Sequence, residues 1–133
     1  MTELVGKKIV GAPFSNEKNI VRVNYNFAND GGGINDYEVV EATGKVGIRL
    51  LCANVKEGVT SIGSLIADLG KGVSGSEIWS DKAVADLSLN SLHVADSENM
   101  IHLADGEKIV LGLEDAEATA GIIEFIFEII QLG

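Results

Sequence analysis

Apolar and polar residues alternate along the last part of the chain, TAGIIEFIFEII, residues 119–130. One face of this stretch, read with a period of two, is wholly apolar: Ile123, Phe125, Phe127 and Ile129. The opposite face alternates apolar and acidic residues: Ile122, Glu124, Ile126, Glu128 and Ile130. Successive side chains of a strand point to opposite faces, and β-branched and aromatic residues favour a strand over the competing helix. We therefore predict a central strand with one face in the core and the other half covered.

Shorter apolar segments recur upstream at intervals of roughly ten residues. We predict strands at residues 20–28, 34–41, 46–55, 62–69, 100–103 and 108–113. Glycine-containing turns separate them at residues 29–33, 43–45, 56–58 and 104–106, the last as a hairpin. In the strand 46–55 the apolar face consists of Val46, Ile48, Leu50 and Cys52. The pattern predicts an all-β, jelly-roll-like sandwich of about eight strands.

The middle of the chain carries the one predicted helix. Residues 70–80, GKGVSGSEIWS, are rich in Gly and Ser and predict a long loop that contains the only tryptophan, Trp79. Ser80 is placed to cap a short helix over residues 81–89. Trp79 has two interpretations, either packed on the core or exposed as a contact residue, since Trp is enriched at interface anchors.

The first eighteen residues lack a sustained period, and Pro13 ends any element that reaches it. We divide the chain into an N-terminal arm, residues 1–18, and a β-sandwich domain, residues 19–133. The arm either holds one short strand or is a frayed terminus.

Composition narrows the functional classes. The 133 residues carry a net charge of -10 and a pI of about 4.5, which disfavours nucleic acid and anionic membrane surfaces as partners. No stretch approaches the length of a membrane span, and the N-terminus does not resemble a signal peptide. Cys52 is the single cysteine, so we expect synthesis in a reducing cytoplasm.

Catalytic and metal-binding motifs are absent from the sequence, including GxSxG, HExxH, CxxC and the phosphate-binding GKS or GKT. His93 and His102 are the only histidines, and a surface or loop position suits both. Asp30 and Asp36 flank a glycine run and could ligate Ca²⁺, although acid-glycine turns are common in β proteins. We expect no enzyme activity, no cofactor and no metal.

Four stretches in fixed order resemble a family of tailed-phage and prophage head decoration, or cement, proteins. They are VRVNYNFANDGGG (21–33), VTSIGSLIADLG (59–70), KAVADLSLN (82–90) and ADGEKIVLGLEDAEATAGIIEFIFEII (104–130). The resemblance covers roughly residues 20–130. It implies a single jelly roll on the outside of a capsid that binds the major capsid protein and itself, most often as a trimer. It carries no catalytic residues.

This resemblance implies a virion protein with an N-terminal arm that reaches a neighbour and loops that contact capsid subunits. The alternating Ile/Glu face of the last strand is compatible with a subunit interface that has a polar rim. The interface candidates are Lys7, Lys8, Ile9, Pro13, Phe14, Trp79, Ile122, Glu124, Ile126 and Glu128. Two other classes stay open. A tail, fibre or cell-surface module that binds glycan or protein needs exposed aromatics, for which Trp79, Tyr25 and Tyr37 are candidates. A cupin-like enzyme needs a metal-binding histidine cluster.

Overall fold

The computed structural model describes residues 19–97 and 99–132, together with a strand at residues 7–10. The strands, in chain order, are β1 (Lys7–Val10), β2 (Asn19–Asn26), β3 (Asp36–Thr43), β4 (Val46–Ser61), β5 (Ile66–Lys71), β6 (Trp79–Ala83), β7 (Leu92–His93), β8 (Ile101–Leu103), β9 (Lys108–Glu114) and β10 (Ala118–Gln131). One helical turn, α1 (Phe27–Asp30), and one 3-10 turn (Val84–Asp86) complete the described elements. The predicted all-β sandwich is confirmed.

Two sheets form the layers of the sandwich. Sheet A has the order β1-β3-β9-β5-β6, and sheet B has the order β2-β10-β4-β7, with β8 also pairing with β4. β1 runs parallel to β3, and the other pairs are antiparallel. β10 pairs with β2 on one side and with β4 on the other, so it is a central strand, as predicted.

The core lies between the sheets and is centred on β10. The predicted inward residues Ile123, Phe125, Phe127 and Ile129 are all at most 1% exposed. Phe125 stacks against Phe127 with 6.2 Å between ring centroids and contacts Trp79 at 5.7 Å. Aromatic rings bury large areas and add a geometric preference for such pairs, so this group makes a large contribution to packing.

β4 is longer than predicted, and the turn expected at residues 56–58 is wrong. The strand continues to Ser61 because β10 extends alongside it, with Ile122 opposite Glu57 and Ala118 opposite Ser61. A β-bulge also changes its phase: Ile126 pairs with Cys52 whereas Phe127 pairs with Leu50. Side chains alternate between the two faces of a strand, so one extra residue shifts the alternation. The side chains after the bulge therefore point to the face opposite to the predicted one.

The bulge overturns the predicted position of Cys52. Ala53 and Val55 are buried after the bulge, whereas Cys52 is half-buried on the outer side of sheet B. The predicted apolar face is therefore correct for Val46, Ile48 and Leu50. After the bulge the buried positions are Ala53 and Val55.

The helix predicted at residues 81–89 is wrong. Residues Trp79–Ala83 form β6, which pairs with β5, and only Val84–Asp86 adopt a helical turn. Strand pairing supplies backbone hydrogen bonds that an isolated short helix in this sequence would lack, so tertiary contacts outweigh the Ser80 capping signal. Val84 and Leu87, two members of the expected apolar stripe, are nevertheless buried at 1% exposure.

Two predicted turns differ in structure. Phe27–Asp30 form α1 in place of a strand end followed by a turn, because the Asn26 side chain accepts hydrogen bonds from the backbone N–H groups of Ala28 and Asn29. The turn at residues 104–106 is not a hairpin. It connects β8 in sheet B to β9 in sheet A, so it crosses from one layer of the sandwich to the other.

Candidate interaction surface

The outer face of β10 brings together four residues that the sequence singled out as interface candidates. Ile122 and Ile126 are half-buried there, and Glu124 and Glu128 are 9% and 7% exposed. The prediction that this face is half covered is confirmed. The coverage comes from the long side chains of the neighbouring strands.

Basic side chains on β2 and β4 pair with both glutamates. Arg22 Nη1 lies 3.4 Å from Glu124 Oε1, and Lys56 Nζ lies 3.6 Å from Glu124 Oε2. On the next row, Arg49 Nε donates to Glu128 Oε1 at 2.7 Å. These pairs compensate carboxylates that would otherwise be costly to bury.

Sequence reasoning missed the three cations. The alternation places Arg22 and Arg49 at outward positions of their predicted strands, and this is the signal that could have found them. The sequence does not reveal which strands are neighbours, so it does not show that these side chains lie beside Glu124 and Glu128. Lys56 belongs to the predicted turn at residues 56–58, so its sequence context does not indicate a strand position, whereas the structure places it in β4.

Apolar side chains occupy the remaining positions of this surface. Ile126 sits between Arg22 on β2 and Cys52 on β4 in the pairing register. Leu92 on β7, opposite Asn54, is 68% exposed, and Ile130 near the end of β10 is 47% exposed. We call these outward residues of β2, β10, β4 and β7 the sheet B face.

The charge of the sheet B face differs from that of the chain. Three cations, Arg22, Arg49 and Lys56, balance three anions. The anions are Glu57, Glu124 and Glu128. Because the whole chain carries -10, this face allows an acidic body to approach with less repulsion than the average of the surface.

The arm candidates have different outcomes. Lys7, Lys8 and Ile9 belong to β1, whose backbone pairs with β3 at the edge of sheet A. Pro13 and Phe14 lie outside the described residues.

Trp79, also an interface candidate, is 0% exposed, so this chain buries the ring in its own core. Its indole Nε1–H donates to the Val94 carbonyl at 3.0 Å, which satisfies the polar atom of the buried ring. Of its two interpretations, the one that packs Trp79 on the core is therefore correct, and the ring is not available as a surface contact.

The aromatic residues that a glycan site would need are also buried. Tyr25 and Tyr37 are 2% and 3% exposed, and their hydroxyls donate to the carbonyls of Gly31 and Gly33. Every Trp, Tyr and Phe in the described residues is buried. This removes the observation on which the glycan-binding alternative depended.

The two histidines are not close enough to form a cupin-like metal site. His93 pairs with Ala53 and His102 with Gly47, positions about 20 Å apart along β4 at the rise of a strand. Burial lowers the pKa of His93, and the nearby Lys82 lowers it further. Neither histidine belongs to a group of potential metal ligands within the part of the chain that the structure describes.

The two calcium candidates, Asp30 and Asp36, lie on α1 and at the start of β3. Asp30 Oδ2 accepts a hydrogen bond from the Asn26 N–H at 2.9 Å. This bond joins the last residue of α1 to Asn26, its N-cap residue. Asp36 lies beside Gly112 on sheet A, where a Cβ on Gly112 would meet Asp36 Oδ1 at 2.9 Å.

A different acidic group lies on the outer side of sheet A. Carboxylate oxygens of Asp68, Asp81 and Glu114 are all within 4.8 Å of one another. Hydrogen bonding to Asp68, and then the negative charge of Asp68, raise the pKa of Glu114. Nearby like charges disfavour ionisation in this way.

Glu114→Gln should raise the thermal unfolding midpoint at pH 7 and lose that advantage near pH 4. The folded-state pKa of Glu114 is raised, so the folded state binds more protons than the unfolded state just above the ordinary value of 4.5, and stability falls as pH rises through that window. The neutral side chain of Gln removes the repulsion between the carboxylates of residue 114 and Asp68. Glu117→Gln, which removes one charge from an exposed residue, is the control for overall charge. A lower midpoint for Glu114→Gln at pH 7 would contradict the expected repulsion.

The fold resembles that of chains found in phage capsids. It matches a chain in the capsid of Ralstonia phage GP4 with a TM-score of 0.68 and 13% identity, over 98% of this chain and 99% of that chain. It also matches a chain of the capsid asymmetric unit of cyanophage Pam1 with a TM-score of 0.53 and 12% identity, over 89% and 88%. No protein-family model matches the sequence, and no curated protein matches it.

These comparisons establish the fold. The sandwich occurs, nearly from end to end, in a chain of a phage capsid, and the identity is too low to transfer residue roles. Within the described residues, no helix is long and apolar enough to cross a membrane.

Proposed function

We propose that this chain is a non-enzymatic virion protein that binds the major capsid protein and stabilises the outer surface of a phage capsid. The observation that carries the proposal is the match to a capsid chain along almost the whole length of both chains. A match of this kind includes the sheets and their connections, so it supports a role in which the intact sandwich is the functional unit. The ordered sequence resemblance to decoration proteins supports the same role.

The sheet B face is the surface that we assign to the shell contact. It combines half-buried Ile122 and Ile126 with ion pairs that are already formed within the chain. Apolar residues surrounded by polar groups are typical of protein interfaces. The ion pairs hold the long basic side chains in place before binding, which lowers the entropy cost of association.

The net charge of -10 supports a position outside the shell. A capsid packed with DNA has a strongly anionic interior, which repels an acidic protein. Many copies on one shell, each contributing modest contacts, would add up through multivalency. We further propose that the chain associates with itself, with a trimer favoured, and that the N-terminal segment, residues 1–18, adds contacts to a neighbouring molecule while β1 stays paired with β3 of its own chain.

Shell binding provides the test of this function. The purified chain is added to shells assembled from the major capsid protein of the same phage without this chain, and the mixture is sedimented. We expect saturable co-sedimentation and a higher temperature of shell disruption. A chain that stays in the supernatant at all concentrations, and leaves shell stability unchanged, would contradict the proposal.

Ile126→Ser should weaken shell binding by about tenfold or more, because it removes a branched side chain from the middle of the sheet B face. Ile62→Ser is the matched control, since Ile62 is 90% exposed in the loop between β4 and β5. Binding isotherms from sedimentation, with circular dichroism to confirm folding, provide the measurement. Equal binding by the two variants would exclude the sheet B face as the contact.

A further inference from the structure

The strand β2 leaves one of its two edges free. β2 is the last strand of sheet B, and within the described residues its only strand partner is β10. Its eight residues, Asn19–Asn26, pair with eight consecutive residues of β10 without a register shift. The opposite side of β2 is therefore the edge of a regular strand, without a bulge that would bend it away from a partner.

A hydrogen bond at Asn26 shows which backbone groups point to this free edge. Asn26 N–H donates to Asp30 Oδ2 at 2.9 Å, so it does not face β10. Because alternate residues of an antiparallel pair face the same side, Ile20, Arg22 and Asn24 also direct their N–H and C=O groups away from β10. Within the described residues, these groups have no backbone partner. Such a row of unpaired groups can pair with another strand.

The other edges of the sandwich carry features that discourage strand addition. β1 has four residues, two of them lysines, and β7 has two residues. Beside β6, Ser80 N–H donates to Asp96 Oδ2 at 2.9 Å and Asp96 N–H donates to the Ile78 carbonyl at 2.7 Å, so a neighbouring segment covers the start of that edge. Short strands, lysines and covering segments are common forms of edge protection. β2, NIVRVNYN, is longer and contains no Lys or Pro.

The residues of β2 are compatible with pairing between two identical strands. β2 has no acidic residue, and its one charged residue, Arg22, lies 3.4 Å from Glu124 of the same chain. An antiparallel pair centred on Val23 places Arg22 opposite Asn24 of the second copy and Val23 opposite its own equivalent. A pair centred on Arg22 would instead place two like charges opposite each other, which is destabilising.

We propose that β2 pairs with β2 of a second copy of this chain, antiparallel and centred on Val23, so that sheet B continues from one copy into the other. Arg22 and Asn24 of each copy then exchange the backbone hydrogen bonds that are free in one chain. This inference rests on the self-association proposed above and names one contact for it. A twofold contact joins copies in pairs, so the oligomer contains an even number of chains, either a dimer or two trimers joined.

This pairing has a consequence for the shell contact. Strand pairing within one layer keeps the inner faces of the two copies on the same side of the continuous sheet. The two sheet B faces therefore also point in one direction and can contact one shell together. Two linked contacts bind more tightly than either alone, so the strand pair would strengthen attachment without any new contact to the shell.

The test is sedimentation equilibrium of the full chain from about 1 μM to 1 mM, together with amide hydrogen exchange at both ends of this range. We expect reversible association to an even number of chains, and slower exchange at Arg22 and Asn24 at the higher concentration. Asn24→Pro removes an N–H that points to the free edge and no bond to β10. It should weaken association by about tenfold or more, with circular dichroism to confirm folding.

A matched pair of lysine variants separates the edge from the face of the sheet. Asn24 on β2 and Asn54 on β4 both lie opposite Glu124, so a lysine at either position gains the same acidic neighbour within its own chain. Only a lysine at residue 24 also faces Arg22 of the second copy. Asn24→Lys should therefore weaken association by about fivefold or more, and Asn54→Lys by less than about twofold.

Several results would overturn the strand pairing. They are a strict monomer at the highest concentration, an oligomer with an odd number of chains, and association that is unchanged in Asn24→Pro. Equal losses in the two lysine variants, or amide exchange at Arg22 and Asn24 that does not slow on association, would also overturn it. Shell co-sedimentation is measured separately, so a monomer that still binds shells would remove the strand pairing and leave the capsid role in place.

Discussion

Phe125→Ala should lower the free energy of unfolding by about 3–5 kcal/mol. The Phe125 side chain is 0% exposed on the central strand β10 and contacts the rings of both Trp79 and Phe127. Its removal takes apolar surface out of the core and leaves a cavity that neighbouring strands cannot close without losing their ladder hydrogen bonds. Urea unfolding followed by circular dichroism measures the loss.

Two isoleucines at the end of β10 form a matched control for the strand phase. Ile129 is 1% exposed and Ile130 is 47% exposed, although they are adjacent and chemically identical. Ile129→Ala should cost about 2–5 kcal/mol and Ile130→Ala less than about 1 kcal/mol. Equal losses at the two positions would contradict the phase that places Phe125 in the core.

Trp79→Ala should also destabilise the chain by about 3–5 kcal/mol. The ring joins the two sheets, because Trp79 belongs to β6 in sheet A and contacts Phe125 in sheet B. Lys82 Nζ lies 5.6 Å from the ring centroid, which adds a cation–π contact that the substitution also removes. Chemical unfolding followed by circular dichroism is the suitable measurement, since the variant lacks the only tryptophan.

Trp79→Phe separates the hydrogen bond from the packing. It keeps an aromatic ring but leaves the Val94 carbonyl without the indole donor, so we expect a smaller loss of about 1–3 kcal/mol. A loss below about 1 kcal/mol for Trp79→Ala would contradict the buried position, and would return Trp79 to the surface alternative.

The strands with the clearest alternation were predicted well because local chemistry alone decides their phase. Ile109, Leu111 and Leu113 on β9 are buried as expected, as are the inward residues of β10. β9 also buries Val110 and Gly112 on its other side. Alternation reports which residues share a face, but it does not report what covers the second face.

The errors occurred where pairing with another strand decides the local structure. Lys56–Glu57–Gly58 has the composition of a turn, yet pairing with β10 keeps this segment extended. Residues 81–89 have a capping serine, yet pairing with β5 makes their first part a strand. Glu57 and Ile122 are far apart in sequence, whereas β5 and β6 are consecutive strands joined by a loop. In both cases the partner strand lies outside the local pattern of the segment.

The candidate surfaces divide in the same way. Ile122, Glu124, Ile126 and Glu128 were recognised from their spacing, because a period of two is sufficient to place them on one face. Their basic partners, Arg22, Arg49 and Lys56, could not be recognised from the sequence. Strand order determines which side chains meet across a sheet, and spacing along one strand does not contain it.

The sequence by itself determined the all-β class, the phase of β10 and the acidic balance of the chain, since each depends only on residue type and spacing. Only the tertiary structure decided that Trp79 is buried and that three cations neutralise the sheet B face. These features arise from strand order, since Trp79 lies on β6 beside β5 and the cations lie on β2 and β4, the two neighbours of β10. The free energy that selects them comes from burying apolar surface between elements distant in sequence.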